Sequence, residues 1–173
     1  MSSVVELLDH AFDPSALLAA FSEDVKNEGA IVSFTGHARS ETMDGKKIDA
    51  LILEKYRGVT LASMQAIAED AHARFDISRS HIVHRAGKIL PTEPIVFVIT
   101  ASSHRRAAFE AADYLMDRLK TEAVFWKREE GPSRRNWIEP TKADQADNAR
   151  WRRMSVKSEC PALTKTLNPA FSN

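Results

Sequence analysis

Five consecutive apolar residues, Ile95-Val96-Phe97-Val98-Ile99, constrain the fold of this chain most. A β-branched and aromatic run with no polar position has no face to offer water, so it reads as a strand buried on both sides. The strand is expected from Glu93 to Ala101, after which the period changes. From near Ser103, Ala108, Ala112, Leu115, Met116 and Leu119 recur at helical spacing and mark one apolar side of a helix that ends around Lys120. A doubly buried strand feeding an amphipathic helix requires a layered domain of sheet and helices.

The remaining patterns supply the other layers. Asp13 is placed as N-cap and Pro14 as first residue of a helix carrying Leu17, Leu18 and Phe21. The segment from Gly29 to Gly36, apolar between two glycines, is expected as a strand in the middle of the sheet. A polar loop with the turn signal Asp44-Gly45 separates it from the alternating strand Ile48, Ala50, Ile52, Glu54. Leu61, Met64, Ile67, Ala68, Ala71 and Phe75 define a helix that covers the sheet. Further strands are expected from Ser80 to Gly87, from Ala123 to Trp126 and from Asn136 to Glu139. The reading is an α+β domain over residues 1–140, followed by a polar, partly helical tail over 141–173.

With 173 residues there is room for one domain with a sizeable core. The 24 basic and 24 acidic residues cancel, so no global field recruits nucleic acid or an anionic membrane, and an anion site must be local. Cys160 is the single cysteine, which excludes an internal disulfide and a cysteine zinc cluster. It is expected to be an inert thiol. The N-terminus lacks a secretory pattern and no stretch reaches the roughly 18 apolar residues of a membrane span, so a cytoplasmic protein is expected. His81 and His84 share a strand with no third ligand evident, and neither a metal nor a cofactor is expected.

Two segments could carry chemistry. Ser102-Ser103-His104-Arg105-Arg106 follows a buried strand and opens a helix, where free N–H groups and the dipole favour an anion beside basic side chains. Taken alone it is equally a helix start capped by Ser103 with solvated side chains. Lys120 and Lys127 lie at the ends of successive elements, and Phe125-Trp126 offers an apolar wall against which a lysine loses hydration and becomes a better proton-transfer group. Taken alone, these lysines read more readily as a dipole partner and surface charge. Arg39 and Arg134-Arg135 add possible anion contacts at other strand ends.

Together the segment Gly29–Gly36, Leu53-Glu54-Lys55-Tyr56, His84-Arg85-Ala86-Gly87, Ser103-His104-Arg105 and the block Leu119-Lys120-Thr121-Glu122-Ala123-Val124-Phe125-Trp126-Lys127-Arg128-Glu129 resemble the molybdopterin synthase large subunit family over about Gly29 to Glu139. The resemblance implies an α/β-hammerhead fold of α+β class. It implies an enzyme that inserts two sulfurs into cyclic pyranopterin monophosphate, giving the dithiolene of molybdopterin. The sulfur donor would be a small ubiquitin-like subunit with a C-terminal thiocarboxylate, and the assembly a homodimer within a heterotetramer.

Carried over residue by residue, the resemblance implies that Lys120 assists at the thiocarboxylate or holds substrate and that Lys127 binds substrate and shuttles protons. It implies that Arg39, His104 and Arg105 grip the phosphate and pterin. The family often has an arginine directly before the tryptophan of the last strand, contributed across the dimer, where this chain has Asn136. Arg135 or Arg134 is then the expected substitute. A competing reading is a non-catalytic module that captures the tail of a ubiquitin-like protein, and a third is an unrelated phosphate-binding enzyme.

Overall fold

The computed structural model describes residues 2–42, 44–132 and 134–153. The expected tail beyond residue 153, Cys160 included, lies outside the described residues. Among these residues, eight strands and four helices follow in the order β1 (Ser2–Leu8), α1 (Pro14–Glu23), β2 (Ala30–His37), β3 (Ala50–Lys55), α2 (Val59–Arg74), β4 (Arg79–Arg85), β5 (Gly87–Ile89), β6 (Pro94–Ser102), α3 (Arg105–Thr121), β7 (Phe125–Gly131), β8 (Arg134–Ile138) and α4 (Lys142–Arg153). This is the expected mixed α+β class. The strands divide between two sheets, one ordered β1-β4-β6-β2 and one ordered β5-β3-β7-β8.

The apolar run of β6 sits inside the first sheet, antiparallel to β4 on one side and β2 on the other. Its alternate residues serve different layers, as the pleat requires. Val96 and Val98 face a cluster built from Met64, Ile67, Ala71, Leu115, Leu119 and neighbours of α2 and α3. Phe97 and Ile99 face Val83, with Leu17 and Phe21 of α1 packed over them. Burial on both faces therefore follows as the sequence predicts.

The segment 29–36 departs from expectation, because β2 is an edge strand bonded to β6 alone. The burial its apolar composition suggests is also only partial: Val32 and Ile31 pack against the two clusters on either side, while Phe34 is 44% exposed and no residue of β2 is fully buried. Gly29 is required by a close approach: a Cβ there would lie 2.6 Å from the Ser103 carbonyl oxygen, so the loop opening α3 rests on the start of β2. Gly87 adopts φ +85°, a left-handed conformation that glycine takes without steric cost, where the chain leaves β4 of the first sheet and begins β5 of the second.

Asp13 caps α1 as expected, its Oδ1 accepting from the Ser15 N–H at 2.8 Å with Pro14 at the first helical position. The described part of the tail forms α4, which lies against α3. Trp151 of α4 is buried in edge-to-face contact with Phe75 and Tyr114. Among the described residues, no helix is long and apolar enough to cross a membrane.

Candidate active site

The lysine pair is placed by a short connection. Helix α3 ends at Thr121 and β7 begins at Phe125, leaving Glu122, Ala123 and Val124 to turn the chain. Buried Thr60, in the first turn of α2, fastens that turn by donating its hydroxyl to the Val124 carbonyl at 2.6 Å. Ser63 Oγ accepts from the Val124 N–H at 3.2 Å. Lys120, one residue before the helix ends, and Lys127, third in the strand, are thereby held on opposite sides of a fixed corner.

In the second sheet Lys127 pairs with Leu53 of β3 and Ile138 of β8. Strand alternation puts Phe125, Lys127 and Glu129 on one face and Trp126, Arg128 and Glu130 on the other. The apolar wall beside Lys127 is therefore not the expected Phe125-Trp126 pair. Trp126 lies on the far face, 50% exposed, edge-on to Trp137 with ring centroids 5.2 Å apart. Phe125 remains on the Lys127 side, and its ring stacks on that of His84 at 4.3 Å and 24°.

His84 is the site residue that sequence reasoning missed, since its strand position looked ordinary. It is buried, and its Nδ1 lies 2.8 Å from the Arg85 carbonyl oxygen. A carbonyl only accepts, so Nδ1 carries the proton. Burial pushes the imidazole down to about 4; the Arg85 carbonyl opposes that and the Lys127 charge adds to it. Lys127 is itself pushed below the ordinary lysine value, by burial first and by the positive charge of Lys120 second, with Asp144 opposing.

Asp144 reaches the pair from α4, accepting from Lys120 Nζ at 2.6 Å. Burial works against its ionisation, yet hydrogen bonds from Lys120 and Thr141 outweigh this and hold the carboxyl at about 2. The sequence signal for α4 was the capping pattern Thr141-Lys142-Ala143-Asp144.

The other expected residues fall into two groups. Arg39 follows Ala38, whose N–H donates to the Glu93 carbonyl at 2.9 Å and whose carbonyl accepts from the Thr92 N–H at 2.8 Å. Arg39 and Arg135 share an open cleft of about 580 Å³ lined also by Glu129, Asn136, Trp137 and Glu139. Within β8, Arg135 stands opposite Glu130, and Asn136 stands opposite Glu129 on the Lys127 side. The ion pair of Arg135 Nε with Glu130 Oε1, at 3.7 Å, is on the outer face. Of Arg134 only its place as the first residue of β8 is described.

His104 and Arg105 stand at the opposite end of α3 from Lys120. His104 is the N-cap residue without a side-chain cap bond, and Ser102 Oγ, not Ser103, accepts the His104 N–H at 3.2 Å. At a rise of about 1.5 Å per residue, the fifteen residues from Arg105 to Lys120 separate the two groups by roughly 22 Å within one chain. Among the described residues, no group of three or more histidine, cysteine or acidic side chains could hold a metal.

Comparison with known proteins gives a consistent result. A family model described as MoaE protein matches residues 7–122. The molybdopterin synthase catalytic subunit of Caulobacter vibrioides is 49% identical over 148 residues, covering 86% of this chain and 97% of that protein. The structure of the molybdopterin biosynthesis MoaE protein from Burkholderia ambifaria superposes with a TM-score of 0.73 at 36% identity, covering 87% of this chain and 98% of that one. Molybdopterin synthase from Staphylococcus aureus gives a TM-score of 0.67 at 26% identity over 77% of this chain and 95% of that chain.

Proposed function

The chain belongs to the MoaE family of molybdopterin synthase catalytic subunits, and from that premise we propose that it transfers sulfur from the C-terminal thiocarboxylate of a small ubiquitin-like subunit to cyclic pyranopterin monophosphate, forming the dithiolene of molybdopterin. The observation that carries this reading is the half-buried Lys127 amine, held below the ordinary lysine value by desolvation and by the charge of Lys120, on the strand face it shares with Phe125.

The chemistry follows from that asymmetry. Lys120, with 56% of its side chain exposed, presents a cation to the thiocarboxylate carbonyl, where negative charge builds up as sulfur is transferred. Lys127, poorly hydrated, exchanges a proton with the pterin more readily than a solvated lysine. His84, held neutral at physiological pH by burial, adds no further positive charge to the pair. Arg39 and Arg135 line a shared cleft suited to the phosphate and the polar edge of the pterin, Arg135 from the sheet face opposite Lys127.

His104 and Arg105, some 22 Å from the lysines along α3 by helix rise, serve the same substrate only when supplied by a second copy. This supports a homodimer whose sites are shared between protomers, with one small subunit at each site. Residues 1–140 form the catalytic domain in this reading, and the tail contributes its helix α4 to the lysine pair. The test is to combine the protein with a thiocarboxylated partner and the cyclic pterin and to assay molybdopterin. Formation of product is expected, with loss of turnover in Lys120→Ala. No product from a partner active with another synthase overturns the proposal.

A further inference from the structure

We propose that Asp144 is a positioning residue for sulfur transfer, a carboxylate that helix α4 lays against Lys120 to hold that ammonium beside Lys127. The inference rests on the function proposed above and concerns the regulation of charge within the same site.

The two oxygens of Asp144 have separate partners. Oδ2 accepts from the Thr141 N–H at 2.9 Å and the Thr141 hydroxyl at 2.8 Å, while the Asp144 N–H donates back to Thr141 Oγ1 at 3.2 Å. This reciprocal cap fixes the side chain and leaves Oδ1 for Lys120 Nζ at 2.6 Å. A cap alone needs only a neutral acceptor, so the negative charge and the second oxygen go beyond what starting the helix requires.

The rest of α4 is tied down along α3 in antiparallel order. Asn148 Nδ2 donates to Glu122 Oε1 at 2.9 Å, Arg150 pairs with Asp117 at 2.8 Å and Asp113 at 2.6 Å, and Trp151 Nε1 donates to Asp117 Oδ2 at 2.7 Å. The helix therefore delivers Asp144 from a fixed frame. Within the pair the carboxylate is the sheltered partner at 16% exposure and Lys120 the open one at 56%. Lys120 is thus anchored from one side and accessible from the other.

The electrostatics agree with this geometry. Two lysines facing one corner repel, and Lys127 registers the Lys120 charge after burial, with Asp144 acting in the opposite sense. From the elements packed around the corner, the groups involved are Lys120 on α3, Lys127 on β7, His84 on β4 and Asp144 on α4. Asp144 is the acidic member of that set.

The experiment compares Asp144→Asn and Asp144→Glu with the unaltered protein. Asparagine still accepts the Thr141 bonds, so the variant should fold, with a Tm modestly below the parent from loss of the Lys120 ion pair. Trace acetylation followed by peptide mass spectrometry should show Lys120 reacting about two- to fivefold faster at pH 8, the range expected for an ion pair with one exposed member. In turnover, kcat should fall about tenfold with KM for the cyclic pterin unchanged, and Asp144→Glu should recover part of it. Unchanged Lys120 labelling in Asp144→Asn overturns the inference, as does a glutamate variant no better than asparagine. If Asp144→Asn does not fold, Thr141→Ala keeps the charge while freeing the side chain, and faster Lys120 labelling is expected there too; unchanged labelling overturns the inference. Labelling needs no substrate, so an inactive parent protein counts against the sulfur-transfer reading alone.

Discussion

The rings of His84 and Phe125 stack 4.3 Å apart at 24°, joining β4 of one sheet to β7 of the other two residues before Lys127. The contact keeps a titratable ring in an apolar seam, and its cost depends on pH. The folded protein holds His84 at about 4 against an ordinary 6.5, so the unfolded chain binds the extra proton between these values. Stability from this group is complete above pH 6.5 and is lost as pH falls toward 4, by about 3 kcal/mol in all. Urea midpoints measured from pH 7 to pH 4 should fall accordingly, and His84→Phe should flatten that slope. His72 is also held down by burial but remains in both proteins, so the difference isolates His84. An identical slope in the variant would exclude this origin.

Lys127 separates charge from proton exchange. Arginine keeps the positive charge but does not give up its proton, so Lys127→Arg should lower kcat by about 10²- to 10⁴-fold, the usual contribution of acid–base catalysis. Because burial and Lys120 push the Lys127 amine down, the limb of the pH–rate profile belonging to it should lie below the ordinary lysine range in the parent protein. Steady-state turnover across pH checks both points. Near-parental kcat in the arginine variant would assign Lys127 to binding alone.

Local patterns in this sequence translated well where one element decided the outcome. Asp13-Pro14 specified the start of α1, and the apolar spacing of α2 and α3 named most of their buried residues. What depended on two distant elements was not legible. Alternation alone could put Trp126 and Lys127 on opposite faces, but only the pairing of β3, β7 and β8 shows which face holds the lysine. The edge position of β2 was hidden because apolar composition does not say how many strands lie beside it, and its side chains are only partly buried with Phe34 exposed. The tail was expected to be partly helical, yet the reach of the Thr141–Asp144 cap to Lys120, 24 positions earlier, exists only because α4 folds back along α3. His84 came to the site by the same kind of long-range placement.

The separation of roughly 22 Å between Arg105 and Lys120 along α3 makes a complementation test possible. Lys127→Ala and Arg105→Ala should each be inactive as pure dimers. Where each site draws its lysine from one protomer and Arg105 from its partner, a mixed dimer contains one site with both changes and one intact site. Unfolding and refolding an equal mixture should then restore about a quarter of parental turnover, since half of the randomly assorted twofold dimers are mixed and each has one good site. Recovery no greater than either variant alone would mean that the two groups do not meet across a dimer.

Trp151 links the stability of α4 to the lysine site. Its ring is buried against Phe75 and Tyr114, Arg74 lies over all three rings, and the indole N–H donates to Asp117. Truncating a buried tryptophan costs about 3–5 kcal/mol through lost burial and the cavity left behind. For a chain of this size that corresponds to a fall in Tm of roughly 10 °C, measurable by calorimetry for Trp151→Ala. Trp151→Phe should recover part of the loss, because an aromatic ring still fills much of the site while the rest of the indole and the Asp117 bond go. The consequence for the site follows from geometry: with its distal anchor gone, α4 no longer fixes Asp144, and Lys120 should label faster even at temperatures where the rest of the chain remains folded. A drop in Tm without any change at Lys120 would show that the Thr141 cap and the remaining α3 contacts hold the carboxylate by themselves.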